Sequence, residues 1–160
     1  MILKVGQFGD FYKKHRDRLF AYLMRNTGDY HRSSDILQES FTRYLERYGE
    51  EKLSATLLYT IARNVVIDGY RKKKPNARLY AEPVNSQSNP ERHVMVREDY
   101  RRVLAAMQKL TPEERDTLSL TVSSNLSYRE IAQVTGTSEG NIKVRVHRAR
   151  AKLKKMMTED

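Results

Sequence analysis

Apolar residues recur near helical spacing from the start of the chain. Phe8, Phe11, Tyr12, Leu19, Leu23 and Met24 predict a first helix, stopped by Asn26-Thr27-Gly28-Asp29. A second helix, capped by Ser33 or Ser34, carries the stripe Ile36, Leu37, Phe41, Tyr44, Leu45 and Tyr48 up to Gly49. A third begins near Ser54, buries Leu57, Leu58, Ile61, Ala62 and Val65, and runs into the basic segment Arg71-Lys72-Lys73-Lys74 before Pro75. Val96, Tyr100, Val103, Leu104, Met107 and Leu110 trace a fourth. Two capping boxes follow, Thr111-Pro112-Glu113-Glu114 and Ser127-Tyr128-Arg129-Glu130, and each marks a helix start because it satisfies orphan amide donors. The final helix is expected over about 138–157. Every element is helical, and the fold class is all-α.

The stretch from Pro75 to Pro90 holds three of the four prolines and most of the small polar residues, so it reads as a linker. Two small helical domains are expected, residues 1–74 and 94–160, joined through a flexible linker at 75–93. The poverty of apolar side chains in 75–90 further implies that the two domains move independently in the free protein.

Composition narrows the function. The 160 residues carry 30 Lys or Arg against 20 Asp or Glu, a net charge of +10, which points towards a polyanionic partner. Residues 1–74 hold most of the excess, 15 basic against 9 acidic. The absence of Cys excludes a disulfide scaffold, a thiol nucleophile and thiolate zinc sites. His15, His31, His93 and His147 are scattered, with no pair at metal-ligand spacing, and no Gly-rich phosphate loop is present. Asp and Glu read as solvated surface carboxylates, since perturbed catalytic pairs need burial. The reading is therefore no enzyme, no metal and no cofactor. No apolar run approaches membrane-spanning length and the N-terminus lacks a signal-peptide pattern, so a cytoplasmic protein is expected.

Two segments carry candidate chemistry. Ala132, Gly136 and Ile142 have the spacing of a helix-turn-helix: a small residue for close approach, Gly for the turn, and a branched residue for the corner. With Ile142, Val146, Ala149 and Leu153 inward, the opposite face displays Lys143, Val144, His147 and Arg148, with Lys154 and Lys155 further on. From Asn141 to Met157 there are seven Lys or Arg and no acid, whereas solvated helices usually mix signs. That face is a DNA-binding candidate. Arg145, towards one flank, suits phosphates or a partner within the domain. The third helix has a mixed polar face of Thr56, Thr60, Arg63, Asn64, Ile67 and Arg71, with Tyr59 and Tyr70 nearby, which are either core residues or base-stacking ones. On the second helix Asp35, Gln38, Glu39, Thr42, Arg43 and Glu46 are left for solvent or a protein partner.

Three blocks, in order, resemble the extracytoplasmic-function (ECF) class of bacterial RNA polymerase sigma factors. The segment 33–41, SSDILQESF, resembles the part that grips the polymerase clamp. The segment 57–71, LLYTIARNVVIDGYR, resembles the promoter-melting and −10-reading helix. LSYREIA at 126–132 with GNIKVRVHRAR at 140–150 resembles the −35-reading domain. The resemblance implies a sigma-2 domain at 1–74 and a sigma-4 domain at 94–160. The implied partners are core RNA polymerase, promoter DNA and an anti-sigma factor, without membrane insertion. It places core binding on Asp35, Gln38, Glu39 and Glu46. It places −10 binding on Arg63, Asn64, Arg71 and Lys72, with base capture in the loop at 49–56. It places −35 binding on Lys143, Val144, Arg145, His147 and Arg148. The family often has Trp where this chain has Leu57, and this chain has no Trp; Leu can pack there but cannot stack. The alternative is a stand-alone helix-turn-helix regulator, which would use residues 1–74 for dimerisation or ligand sensing.

Overall fold

A computed structural model describes residues 2–72 and 94–159, with side chains over 6–70 and 97–159. Among the described residues are seven α-helices and no strand: α1 Ile2–Thr27, α2 Tyr30–Tyr48, α3 Ala55–Lys72, α4 Val94–Met107, α5 Pro112–Ser123, α6 Tyr128–Thr135 and α7 Glu139–Thr158. The expected linker at 75–93, with Lys73 and Lys74, lies outside the described residues.

The local signals explain most boundaries. Gly28, at φ +69°, turns the chain after α1. Thr111 and Ser127 each complete a capping box, accepting from the amides of Glu114 and Glu130 while those carboxylates accept from the cap amides in return. The second helix departs from expectation. Its cap is Asp29, whose carboxylate accepts from the amide of Arg32 at 3.0 Å, and not Ser33 or Ser34. Asp29 already has extended backbone after the Gly28 turn, so it caps one turn earlier. Ser33 is buried instead, its hydroxyl 2.9 Å from that of Thr27.

α1, α2 and α3 pack through Phe11, Leu19, Leu23, Ile36, Leu37, Phe41, Tyr44, Leu58, Ile61, Ala62 and Val65. Full burial of one such large side chain contributes about 1.5–3 kcal/mol. Leu45 is the exception to the expected stripe: it is 38% exposed, because two turns separate it from Gln38 and put both on the outward side. A smaller cluster of Met107, Leu110, Leu118 and Ala149 ties α4 and α5 to α7.

The two halves are not separate in the structure. One cluster of buried side chains runs from Tyr22 and Tyr59 through Leu120, Ile131, Val134, Ile142 and Val146. α5 lies against α1, and α6 against α3. In this conformation the two halves share that core. The linker's composition said nothing of α5, whose residues 115–120 are all buried.

Candidate nucleic-acid interface

The helix-turn-helix is built from short-range signals. Ala132 is buried at the crossing, and Gly136, at φ +73°, closes α6 with its amide on the Ala132 carbonyl at 2.8 Å. Any residue with a side chain would be strained in that left-handed conformation. Ser138 then caps α7, accepting from the amide of Asn141 at 3.1 Å, while Asn141 Nδ2 donates to the Thr137 hydroxyl at 2.9 Å. Ile142, Val146 and Ala149 are buried and Leu153 is half-buried, so the inward face is as the spacing predicts.

Lys143, Val144, His147 and Arg148 are all exposed on the opposite face of α7. Val144 is an exposed apolar side chain, 45% accessible, among cations. The other basic residues of the helix are sorted differently. Arg145 is half-buried, with Nη2 3.6 Å from a carboxylate oxygen of Glu113. Lys152 Nζ reaches Glu114 at 2.9 Å, and the Glu114 carboxyl is lowered below its ordinary range, chiefly by that hydrogen bond. Both lean back on the start of α5. Lys143, His147 and Arg148 make no ion pair among the described residues.

The α3 face is different. Asn64 is exposed, but Arg63 is drawn across to α5, its Nε 2.7 Å from Oδ2 of Asp116. The other oxygen of that carboxylate accepts from the Tyr22 hydroxyl at 2.6 Å and from Asn26 Nδ2 at 2.9 Å. Burial, with the Asp116 charge beside it, raises the Tyr22 hydroxyl well above its ordinary pKa of 10.0, so it stays a donor. Tyr59 is wholly buried and its hydroxyl is pushed upward by burial, which makes it a core residue and not a stacking platform. Tyr70 is half-buried between two guanidinium groups, Arg32 at 5.2 Å and Arg115 at 5.7 Å from its ring centre. Arg115 Nη2 also donates to the Tyr70 hydroxyl at 2.9 Å. Gly69 leaves room for Arg32: a Cβ there would stand 2.5 Å from Nη2. α3 reaches Lys72, but the side chains of Arg71 and Lys72 lie outside the described residues.

The loop between α2 and α3 is held from below. The Tyr44 hydroxyl donates to the Lys52 carbonyl and accepts from the Ser54 amide. On α2, Asp35, Gln38, Glu39 and Glu46 are exposed with Leu45 among them, and Glu39 pairs with Arg43 at 2.5 Å.

Sequence reasoning missed Asp116 and its partners Tyr22 and Asn26. The periodicity of α5 is no guide there, because its buried run, Arg115-Asp116-Thr117-Leu118-Ser119-Leu120, mixes polar with apolar residues. Among the described residues no group of His, Asp or Glu could hold a metal ion, and no helix is long and apolar enough to cross a membrane.

Residues 11–75 match the family model for sigma-70 region 2, and residues 100–153 that for sigma-70 region 4. The chain is 31% identical to the ECF RNA polymerase sigma factor EcfG of Rhodopseudomonas palustris, over 89% of this chain and 80% of that one. It belongs to the ECF sigma factors. The factor is also 29% identical to SigW of Bacillus subtilis, over 95% of this chain and 89% of the relative. The fold of this sigma factor is shared with the sigma factor RpoE of Bartonella quintana, solved in complex with the anti-sigma factor NepR: TM-score 0.78, 22% identity, 96% of this chain and 98% of that one covered. The region 2 match thus spans α2, α3 and most of α1, and the region 4 match spans α5, α6 and most of α4 and α7.

Proposed function

We propose that this sigma factor binds core RNA polymerase through the outward side of α2 and reads promoters with two separate faces. Residues 1–74 form the core-binding and −10 unit, 94–160 the −35 unit, and 75–93 join them. Asp35, Gln38, Glu39 and Glu46 surround Leu45, giving a polar rim around an apolar centre, which is how a protein interface is composed. Arg63, Asn64, Arg71 and Lys72 line the path of the −10 strand, and the loop held by Tyr44 takes an extruded base.

The observation that carries the reading is the α7 face. Its inward residues are buried in the helix-turn-helix core, so Lys143, Val144, His147 and Arg148 project together from one exposed side. Lys143 and Arg148 suit guanine edges and Val144 a thymine methyl, while Arg145 suits a phosphate. The protein acts by binding, as an initiation subunit in the cytoplasm and not as an enzyme. The anti-sigma complex of the Bartonella relative supports an anti-sigma factor as a further partner. The test is run-off transcription with core polymerase on a library of promoters. Transcription that depends on this chain, with a −35 preference shifted by Arg148→Ala, is expected. No specific initiation by the mixture would overturn the reading.

A further inference from the structure

The loop between α2 and α3 presents an apolar side chain that the core does not use. Leu53 is 38% exposed and belongs to neither cluster of core side chains. The peptide groups on either side of it are held by one hydroxyl, since Tyr44 donates to the Lys52 carbonyl and accepts from the Ser54 amide. The Tyr44 side chain is buried, its ring centre 5.5 Å from that of Phe11. Ser54 in turn accepts from the amide of Leu57 at 3.3 Å, which ties the loop to the first turn of α3. Lys52 is drawn aside over the Tyr48 ring, at 5.7 Å. An exposed leucine thus stands on a backbone already fixed from the core, so the ordering that a contact would require is largely complete.

Its neighbours limit what can meet it. Glu50 and Glu51 outnumber Lys52 in the loop, so a phosphate is disfavoured there. The face of a nucleobase is apolar and uncharged and meets no such penalty. Directly after the loop comes the α3 face of Thr56, Thr60 and exposed Asn64, the face proposed for the −10 strand. We propose that Leu53 is a wedge for that strand. It enters the gap left in the stack when a base is extruded into the loop, and packs on the face of the base that stays behind. This rests on the assignment of the loop to base capture.

Extruding a base exposes the faces of its neighbours, at a cost in unstacking. Leucine is one of the side chains that proteins insert at such a step. The chain has no Trp to cover the exposed face, and Leu57 is already packed on the helical core. The Leu53 side chain has no polar atom with which to read a base edge. It is therefore a positioning residue, which holds the strand open and leaves the choice of base to the polar groups around it. Loss of Leu53 should lower affinity for the open strand alike for all −10 sequences, whereas loss of the Tyr44 hydroxyl should flatten the sequence preference.

The experiment uses holoenzyme assembled from the full chain and core polymerase, on promoters whose −10 segment is premelted by mismatches. Each −10 position of the non-template strand carries, in turn, 2-aminopurine or an abasic nucleotide. 2-Aminopurine brightens where a base leaves the stack, and competition gives the affinity of each abasic template. Thermal melting verifies that each variant folds. Leu53→Ala is expected to weaken binding of the intact strand by roughly five- to tenfold, the worth of part of a leucine's burial. Leu53→Met, which keeps an apolar side chain, should stay within about twofold of the parent. The Leu53→Ala loss should vanish when the abasic nucleotide is next to the position that brightens. A loss of the same size on every abasic template, or none on the intact strand, overturns the wedge. So does a matching loss of core binding without DNA, which would make Leu53 a protein contact. If no position brightens with the parent, no base is extruded; it is then the base-capture reading that falls, and the wedge with it.

Discussion

The hydroxyl of Tyr44 accepts a hydrogen bond from the backbone amide of Ser54 at 2.9 Å and donates to the carbonyl of Lys52. A side chain buried in the α1–α2–α3 core therefore holds the α3 end of the short loop at two points, two residues apart. Tyr44→Phe keeps the ring, which lies 5.5 Å from Phe11 and 5.3 Å from Tyr48, and removes only the two polar contacts. A loss of about 0.5–1.5 kcal/mol is expected, the net worth of a hydrogen bond at a half-buried site. Amide exchange at Ser54 should quicken and the −10 base preference should flatten, with the −35 ranking unchanged. A promoter library read with parent and variant holoenzyme checks this; an unchanged −10 profile would separate the loop from base capture.

Charge reversal on α2 is expected to weaken core binding without loosening the fold. Asp35 and Glu46 are exposed and outside the helical core, so Asp35→Arg with Glu46→Arg should stay within about 0.5 kcal/mol of the parent in stability. Competition for core polymerase against the parent should show at least a tenfold loss. Equal competition would move the interface elsewhere.

Arg148 and Arg145 are expected to fail in different ways. Arg148 is exposed on the recognition face, so Arg148→Ala should cost about 1–3 kcal/mol at particular −35 positions and change their ranking. Arg145 is held towards Glu113, an exposed and therefore weak pair that it can exchange for a phosphate. Arg145→Ala should weaken all sites alike and lower the salt slope by about one unit. Binding to a −35 library at two salt concentrations distinguishes the two patterns.

His15 makes stability depend on acid. It is buried beside Phe11, at 4.7 Å between ring centres, and burial, with Lys14 and Arg18 nearby, lowers its pKa from 6.5. Above pH 6.5 the ring is neutral in both folded and unfolded chains, so the group has no effect there. Below it the unfolded chain takes a proton that the folded one resists, and stability falls until the folded pKa is passed. Urea melts between pH 7.5 and 5 should show this decline, and His15→Leu should remove its share.

Legibility followed the range of the interactions. The capping boxes at Thr111 and Ser127 and the turn at Gly136 involve residues three or four apart, so the helix-turn-helix could be read directly. Leu45 was misplaced because its stripe drifts around α2, and only packing against α1 and α3 decides which edge stays dry. Asp29 displaced the two serines as cap because the Gly28 turn had already set its backbone. Asp116 was out of reach altogether: its partners lie 53 to 94 residues away in the chain, and nothing local separates a surface carboxylate from one enclosed by another helix pair.

Gly69 carries a consequence for anyone wishing to stiffen the molecule. Alanine in its place would favour α3 by about 0.5–1 kcal/mol on helix preference alone. The new methyl group, however, would meet Nη2 of Arg32, so that this guanidinium must shift from its place over the Tyr70 ring, while Tyr70 keeps Arg115 and the Asn26 carbonyl. A change that local rules recommend would thus reach one of the contacts at which α2, α3 and α5 meet a single aromatic ring. At residue 69 the empty space is a structural part, as much as any side chain around it.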